Sequence, residues 1–208
     1  MTEYYIPTQA GEASFVEKRS EFLGHVRPVE TEEEARDFIA RMKKEYHDAR
    51  HNCWCYSIRS GAERYSDDGE PQGTAGIPML EVFRREGITN FVCVVTRYFG
   101  GILLGAGGLL RAYTKSAKDA LDAAGVSVVR GWAELDIPCS YAQAERLKGE
   151  VLALSGVVTD MEYGVGVIIK ALIPEEKETA LCEKIYDVSA GSVQCQKKGS
   201  CFRAAPLR

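Results

Sequence analysis

The segment Arg97-Tyr98-Phe99-Gly100-Gly101-Ile102-Leu103-Leu104-Gly105-Ala106-Gly107-Gly108-Leu109-Leu110-Arg111-Ala112-Tyr113 carries five glycines in the nine positions from Gly100 to Gly108. Glycine admits positive φ and close backbone approach, and the run leads into a predicted helix whose first N–H groups have no intrahelical acceptor. Such a terminus suits a phosphate or another anion. Arg111, Lys115 and Lys118 follow at i, i+4 and i+7, and no acidic residue stands between Arg97 and Lys118. The implied chemistry is contact with a nucleic-acid backbone through local positive charge. It is not Walker A chemistry: no Gly-Lys-Ser/Thr follows, and Leu110 sits where a dinucleotide fingerprint needs its last glycine. A solvated helix face, beside glycines that only permit tight strand–helix packing, fits the same residues.

Ser66-Asp67-Asp68-Gly69-Glu70-Pro71 gathers three carboxylates in one turn. Clustered oxygens attract hard divalent cations, but Pro78 stands where an EF-hand loop needs its bidentate Glu, and no second Asp-rich segment supplies partners. Carboxylates that cap turns and the following helix, or that pair with Arg97 or Arg111, are the simpler expectation. His47, His51, Cys53 and Cys55 offer zinc-ligand types. Alternate strand positions lie roughly 6.5–7 Å apart, however, so His51, Cys53 and Cys55 can hardly converge on one tetrahedral ion. A Cys–His nucleophile pair has the same difficulty, since alternate residues share a face without guaranteed hydrogen-bond reach. No Gly-x-Ser-x-Gly elbow or His-Glu-x-x-His occurs. Neither a metal nor a cofactor is expected.

These residues need elements to hold them. Thr31-Glu32-Glu33-Glu34 is a capping box, and Ala35, Phe38, Ile39, Met42 and Tyr46 form one apolar stripe of the helix it opens. Asn52 to Arg59 reads as a strand with Cys53, Cys55 and Ser57 on one face and Trp54, Tyr56 and Ile58 on the other. Ile88 to Phe99 is the most apolar run and predicts a central strand. Between them the turn-rich stretch Ser66 to Gly76 leads to a short helix near Pro78 to Glu86, and the glycine segment leads to a helix from Gly108 to Ala124, closed by Gly125. Beyond residue 133 the pattern is strand (Glu134 to Cys139), helix (Ser140 to Leu154), strand (Val157 to Tyr163), strand (Val165 to Ile173), helix (Pro174 to Val188) and strand (Ser192 to Lys198). That order, βαββαβ, closes most simply as a ferredoxin-like sandwich. The fold class is α+β, in two domains, 1–133 and 134–208.

The 208 residues carry 26 Lys and Arg against 30 Asp and Glu, a formal charge of −4, which excludes nucleic-acid binding through bulk charge alone. The longest uncharged stretch, Tyr98 to Leu110, is far shorter than the ~20 apolar residues of a membrane span. With no secretory pattern at the start, and seven cysteines that read as reduced core thiols, a cytoplasmic protein is expected.

Lys18-Arg19-Ser20-Glu21-Phe22, His47 to Cys53, Ser66 to Gly76 with Pro78, and Arg97 to Tyr113 resemble, in order and spacing, the signature segments of the IMPACT/YigZ family, and residues 134–198 resemble the small C-terminal domain of its bacterial members. Cys55 stands where many members carry a small apolar residue, and Ser20 follows Arg19 where a Ser-Arg-Phe order is common. The resemblance implies an N-terminal fold similar to domain IV of elongation factor G and to a small-subunit ribosomal protein, and a C-terminal fold similar to another elongation factor G domain. Eukaryotic relatives act in translational control during amino-acid starvation, through a protein contact that involves an additional domain expected to be lacking here.

The leading expectation is a non-enzymatic, translation-associated regulator that binds ribosome or RNA. Its anion contacts would be Arg97, Gly100, Gly101, Gly105, Gly107, Gly108, Arg111 and Lys115, in a groove lined by His51, Asp67, Asp68, Glu70, Thr74, Tyr98 and Tyr113. The alternatives are a small-molecule or metal-dependent enzyme built on Asp67, Asp68 and Glu70, and a protein-interaction module that uses a sheet edge of the C-terminal domain.

Overall fold

The computed structural model describes residues 3–207. The chain divides into two compact units, one of Tyr4–Val128 with residues 204–207 and the other of Val129–Arg203 with Glu3, so one boundary lies within the strand β7 (Val126–Cys139), which also contains residue 133, and the other within the last strand.

The first unit contains β1 (Tyr4–Pro7), β2 (Gly11–Glu17), β3 (Ser20–Pro28), α1 (Glu32–Glu45), β4 (His51–Ser57), β5 (Glu63–Ser66), α2 (Gly76–Arg85), β6 (Phe91–Tyr98) and α3 (Ala106–Ala124). Its sheet runs β2-β3-β6-β4-β5 with every neighbouring pair antiparallel. The apolar strand β6 is central, and Phe91 to Arg97 are all buried. Strand alternation splits the core in two. Phe22, Cys53, Cys55, Cys93 and Val95 face α2 and α3, while Tyr56, Ile58, Val92 and Val94 face the α1 stripe of Ala35, Phe38, Ile39 and Met42. The Thr31 capping box forms, with Glu34 N–H donating to Thr31 Oγ1 at 3.2 Å and Thr31 N–H to Glu34 Oε2 at 3.4 Å.

Three features near the site differ from expectation. The opening of the chain makes three strands rather than one short one, a strand, β5, leads into the turn-rich stretch at Ser66, and α3 starts at Ala106 rather than Gly108. The β2–β3 hairpin pairs Glu17 with Ser20, so Lys18 and Arg19 alone form its loop, at φ 46° and 65°. Positive φ at both loop residues matches the twist of a tight hairpin, but such loops normally use Gly, Asn or Asp. Two cations occupy those positions here.

The second unit continues with α4 (Tyr141–Ala153), β8 (Val157–Tyr163), β9 (Val167–Pro174), α5 (Glu178–Val188) and β10 (Gln196–Pro206), with a single 3-10 turn at Glu175–Lys177 ahead of α5. β7 pairs with both β9 and β10, and β8 lies outside β9. This is the βαββαβ arrangement expected from the sequence. Ala144, Leu147 and Val151 of α4 and Leu181 and Ile185 of α5 pack on Leu135, Ile137, Ile169 and Ala171 of the sheet. The last strand extends well past Lys198, through residues for which the sequence pattern suggests no element. No described helix is long and apolar enough to cross a membrane.

Candidate functional site

The acidic turn before α2 is a folding device. Asp67 Oδ1 accepts from the backbone N–H of Ala75 and Gly76 at 3.0 and 2.8 Å, and Oδ2 from that of Gly73 at 2.8 Å. Ala75, the N-cap of α2, has no capping side chain of its own, so the remote carboxylate caps the helix and complements its dipole. Asp68 turns the other way: Oδ2 accepts from Asn52 N–H at 2.8 Å and Oδ1 pairs with Lys43 Nζ at 2.5 Å. Thr74, buried, donates from Oγ1 to Pro71 O at 2.6 Å.

Glu70 goes into the core. Arg97 Nη1 donates to its Oε1 at 2.6 Å, and Tyr113 Oη donates to the same oxygen at 2.9 Å. Arg97 Nη2 lies 3.3 Å from Ser20 Oγ, which also accepts from Gly100 N–H at 3.2 Å. His51 Nε2 is 3.9 Å from Glu70 Oε1, and its Nδ1 is 2.9 Å from the carbonyl of Asp68. Arg97 and Glu70 are 4% and 8% exposed, and Tyr113 is fully buried. Burial, with Cys53 and Glu70 alongside, drives the Tyr113 phenol far above its ordinary range, so it serves as a fixed donor to the carboxylate.

The structure therefore corrects the single groove read from the sequence. Arg97, Glu70, Thr74 and Tyr113 are buried and bonded to one another or to the backbone; Arg97 is committed to Glu70 and is not free for an external anion. The reason is register: Arg97 follows the alternation of β6 onto the face covered by α3, where the turn delivers its counter-charge. Tyr98 takes the opposite face, its Oη 2.8 Å from Asp48 Oδ1. That carboxylate, aided by partial burial, pushes the Tyr98 phenol up to about 12.

The zinc and nucleophile sets do not assemble. Cys53 Sγ donates to Asp67 O at 2.9 Å and Cys55 lies in the core. His47 Nδ1 is 3.3 Å from Lys44 O. Burial raises both thiols well above their ordinary values, the opposite of what a nucleophile needs. Among the described residues no three His, Cys, Asp or Glu side chains are grouped as metal ligands.

What stays open to solvent is the start of α3. Its N-cap, Gly105, adopts φ 73°, no side chain caps it, and its first turn has no acidic residue. Gly101, Gly105 and Gly107 are exposed, with Gly100 and Gly108 partly so. Gly100 is required sterically, because a Cβ there would lie 2.0 Å from the backbone of Arg19; this close approach seats the glycine loop on the cationic hairpin. Arg111 has no acidic partner among the described residues, and neither do Lys18 and Arg19. Lys115 is half-committed, forming an ion pair with Asp119, and Lys118 pairs with Asp122 and Glu86. Leu103, at the crest of the loop, is 82% exposed. Composition does not single out Lys18 and Arg19; the signal for them is their place between two alternating runs, where a tight hairpin must turn.

Fold and site together define a two-unit α+β protein whose buried Glu70–Arg97 pair braces an exposed, basic, glycine-rich loop and helix start. Family models for the Impact N-terminal domain and for a domain of unknown function (DUF1949) match residues 18–121 and 137–192. The IMPACT family member YvyE of Bacillus subtilis is 36% identical over 190 residues, 90% of this chain and 88% of that protein. YigZ of Escherichia coli, also an IMPACT family member, is 33% identical over 85% of this chain and 89% of its own length. A crystal structure described as that of a hypothetical protein superposes with a TM-score of 0.60 at 31% identity, covering 94% of this chain and 97% of the other. The chain belongs to the IMPACT family.

Proposed function

We propose that this protein is a translation-associated RNA-binding regulator without enzymatic activity, which docks on ribosomal or other structured RNA through the start of α3 and the β2–β3 hairpin. One observation carries the reading. In an acidic chain, Lys18, Arg19 and Arg111 have no acidic partner among the described residues and flank a helix start with no capping carboxylate. The acids of the turn before α2, Asp67, Asp68 and Glu70, are each bound to protein groups and do not act as counter-charges there, whereas Glu17 stands beside Lys18. Backbone phosphates are the ligand that a cluster of free guanidinium, ammonium and N–H donors recognises, without reading sequence. Membership of a family whose eukaryotic branch is linked to translation supports placing that RNA on the ribosome.

The test is co-sedimentation of the full-length protein with ribosomes across a salt series, comparing wild type with the Arg111→Ala/Lys115→Ala variant. Binding that weakens steeply with salt, and that is abolished or flattened in the variant, supports the proposal. Equal binding by the variant sinks the site assignment, and no binding at low salt sinks the ribosomal reading.

A further inference from the structure

Between β2 and α3 lies a groove of about 260 Å³ lined by Phe15, Glu17, Lys18, Leu104, Gly108, Arg111, Ala112 and Lys115. We infer that it holds one unstacked ribonucleotide of the bound RNA, a step that rests on the RNA reading above and gives it a chemical address. The volume is slightly below the ~300 Å³ at which drug-sized pockets begin, room for one nucleobase with its phosphate at the rim and too small for two stacked bases.

The wall is divided in the way a nucleotide is. Phe15, Leu104 and Ala112 form an apolar floor, and the Phe15 ring is fixed by stacking on Phe22 with centroids 5.2 Å apart. A rigid aromatic ring beside guanidinium and ammonium groups is the usual platform for an unpaired base. Lys115 Nζ sits 5.0 Å from the Phe15 centroid, so an incoming base takes the ring face by displacing the flexible lysine side chain towards the phosphate. Arg111 and Lys18, both without acidic partners among the described residues, stand at the rim for the phosphate. Glu17, also without a described partner, is an acceptor-only group in an otherwise cationic rim. A ribose 2′-hydroxyl would donate to it, so the occupant is a ribonucleotide in preference to a deoxyribonucleotide.

The experiment titrates the full-length protein at low salt with hexa-riboadenylate, its deoxy counterpart, adenosine 5′-monophosphate and inorganic phosphate. It compares wild type with Phe15→Leu, which keeps apolar volume but removes the ring, and with Glu17→Gln and Arg111→Ala, which are surface changes. The expected result is saturable binding of the ribo-oligomer, at least about fivefold weaker in Phe15→Leu, with Glu17→Gln narrowing the ribo-over-deoxy preference and Arg111→Ala weakening both. Circular dichroism separates a misfolded Phe15→Leu from a folded one, and the two surface variants decide the matter if it misfolds. Inorganic phosphate competing as well as the monophosphate, or no saturable binding of either nucleotide, overturns the inference. Ribosome co-sedimentation that needs Arg111 but ignores Phe15→Leu and Glu17→Gln would remove the nucleotide pocket and leave the RNA-binding proposal standing. Saturable ribo-oligomer binding without ribosome association would support the pocket and remove only the ribosomal placement.

Discussion

Arg97 of the central strand donates to Glu70 of the acidic turn at 2.6 Å, and both side chains are almost wholly withdrawn from solvent. Tyr113 from α3 donates to the same carboxylate oxygen, and Ser20 at the start of β3 meets the guanidinium. One buried carboxylate thus joins a strand, a helix and a loop. The basic surface is held by a network that never reaches it.

Removing one member of that network should be costly. Glu70→Ala leaves the Arg97 charge and the Tyr113 hydroxyl unpaired and buried, and is expected to destabilise by about 3–5 kcal/mol. Pairing Glu70→Leu with Arg97→Met should recover much of that stability, since no orphaned charge remains. Urea unfolding of the two variants checks it; a Glu70→Ala effect below about 1 kcal/mol would contradict a tightly bonded pair.

The two adjacent aspartates should behave differently. Asp67→Ala removes the acceptor of three backbone donors, two at the start of α2, and is expected to cost about 2–4 kcal/mol, as for a helix cap with charge-assisted bonds. It should also speed amide exchange at Gly73, Ala75 and Gly76. Asp68→Ala removes one backbone hydrogen bond and a partly exposed pair with Lys43, and should cost about 1–2 kcal/mol. Hydrogen exchange with mass analysis distinguishes them, and similar exchange in the two variants would refute the capping role.

The basic side chains should be unequal in RNA binding. Arg111 has no acidic partner among the described residues, whereas Lys115 already pairs with Asp119, so Arg111→Ala should lower affinity and the salt slope more than Lys115→Ala does. Each phosphate interaction removed should flatten the slope of log K against log salt by about 1. Equal effects from the two single variants would mean that local ion pairing does not grade their contributions.

Thiol chemistry should follow burial. Cys53, Cys55 and Cys93 are fully buried, and burial holds the first two thiols protonated. Iodoacetamide at pH 8 should leave all three unlabelled in the native protein and label them after denaturation. The partly exposed Cys139, Cys182, Cys195 and Cys201 are the candidates for native labelling. Rapid native modification of Cys53 would revive the nucleophile reading.

At alkaline pH the Tyr98–Asp48 bond should fail. The phenol is raised from 10.0 to about 12, so the bond's contribution to stability is fully present below about pH 10 and disappears as pH rises through about 12. Absorbance titration near 295 nm should show one fewer late-titrating tyrosine in Tyr98→Phe; an unchanged late phase would count against the bond.

Much of the frame was legible because it follows from local rules. The capping box at Thr31, the Ala35 to Met42 stripe and the alternation of Cys53, Trp54, Cys55 and Tyr56 involve neighbours a few residues apart, where helix and strand periods fix direction. The βαββαβ order after Ala133 was legible for the same reason. The glycine segment was also readable as a helix entry, as Gly105 at the N-cap of α3 bears out. β5 was hidden in turn-like composition, and β10 ran past the last periodic residue, since a strand whose partner is remote in the chain needs little local signal.

Taken alone, the order of residues establishes that a basic, acid-free stretch enters a helix after a glycine-rich loop, and that three carboxylates sit in one turn ahead of another helix. Which charges meet was settled by tertiary packing. Pairing across the sheet and packing of α3 on it buried Arg97 with Glu70 and left Arg111 in solvent, although both look equally available on paper. The fate of a charge depends on the desolvation and counter-charge imposed by residues distant in sequence. Glu70 and Arg97 are 27 positions apart and Ser20 and Arg97 are 77, separations over which no local pattern carries information.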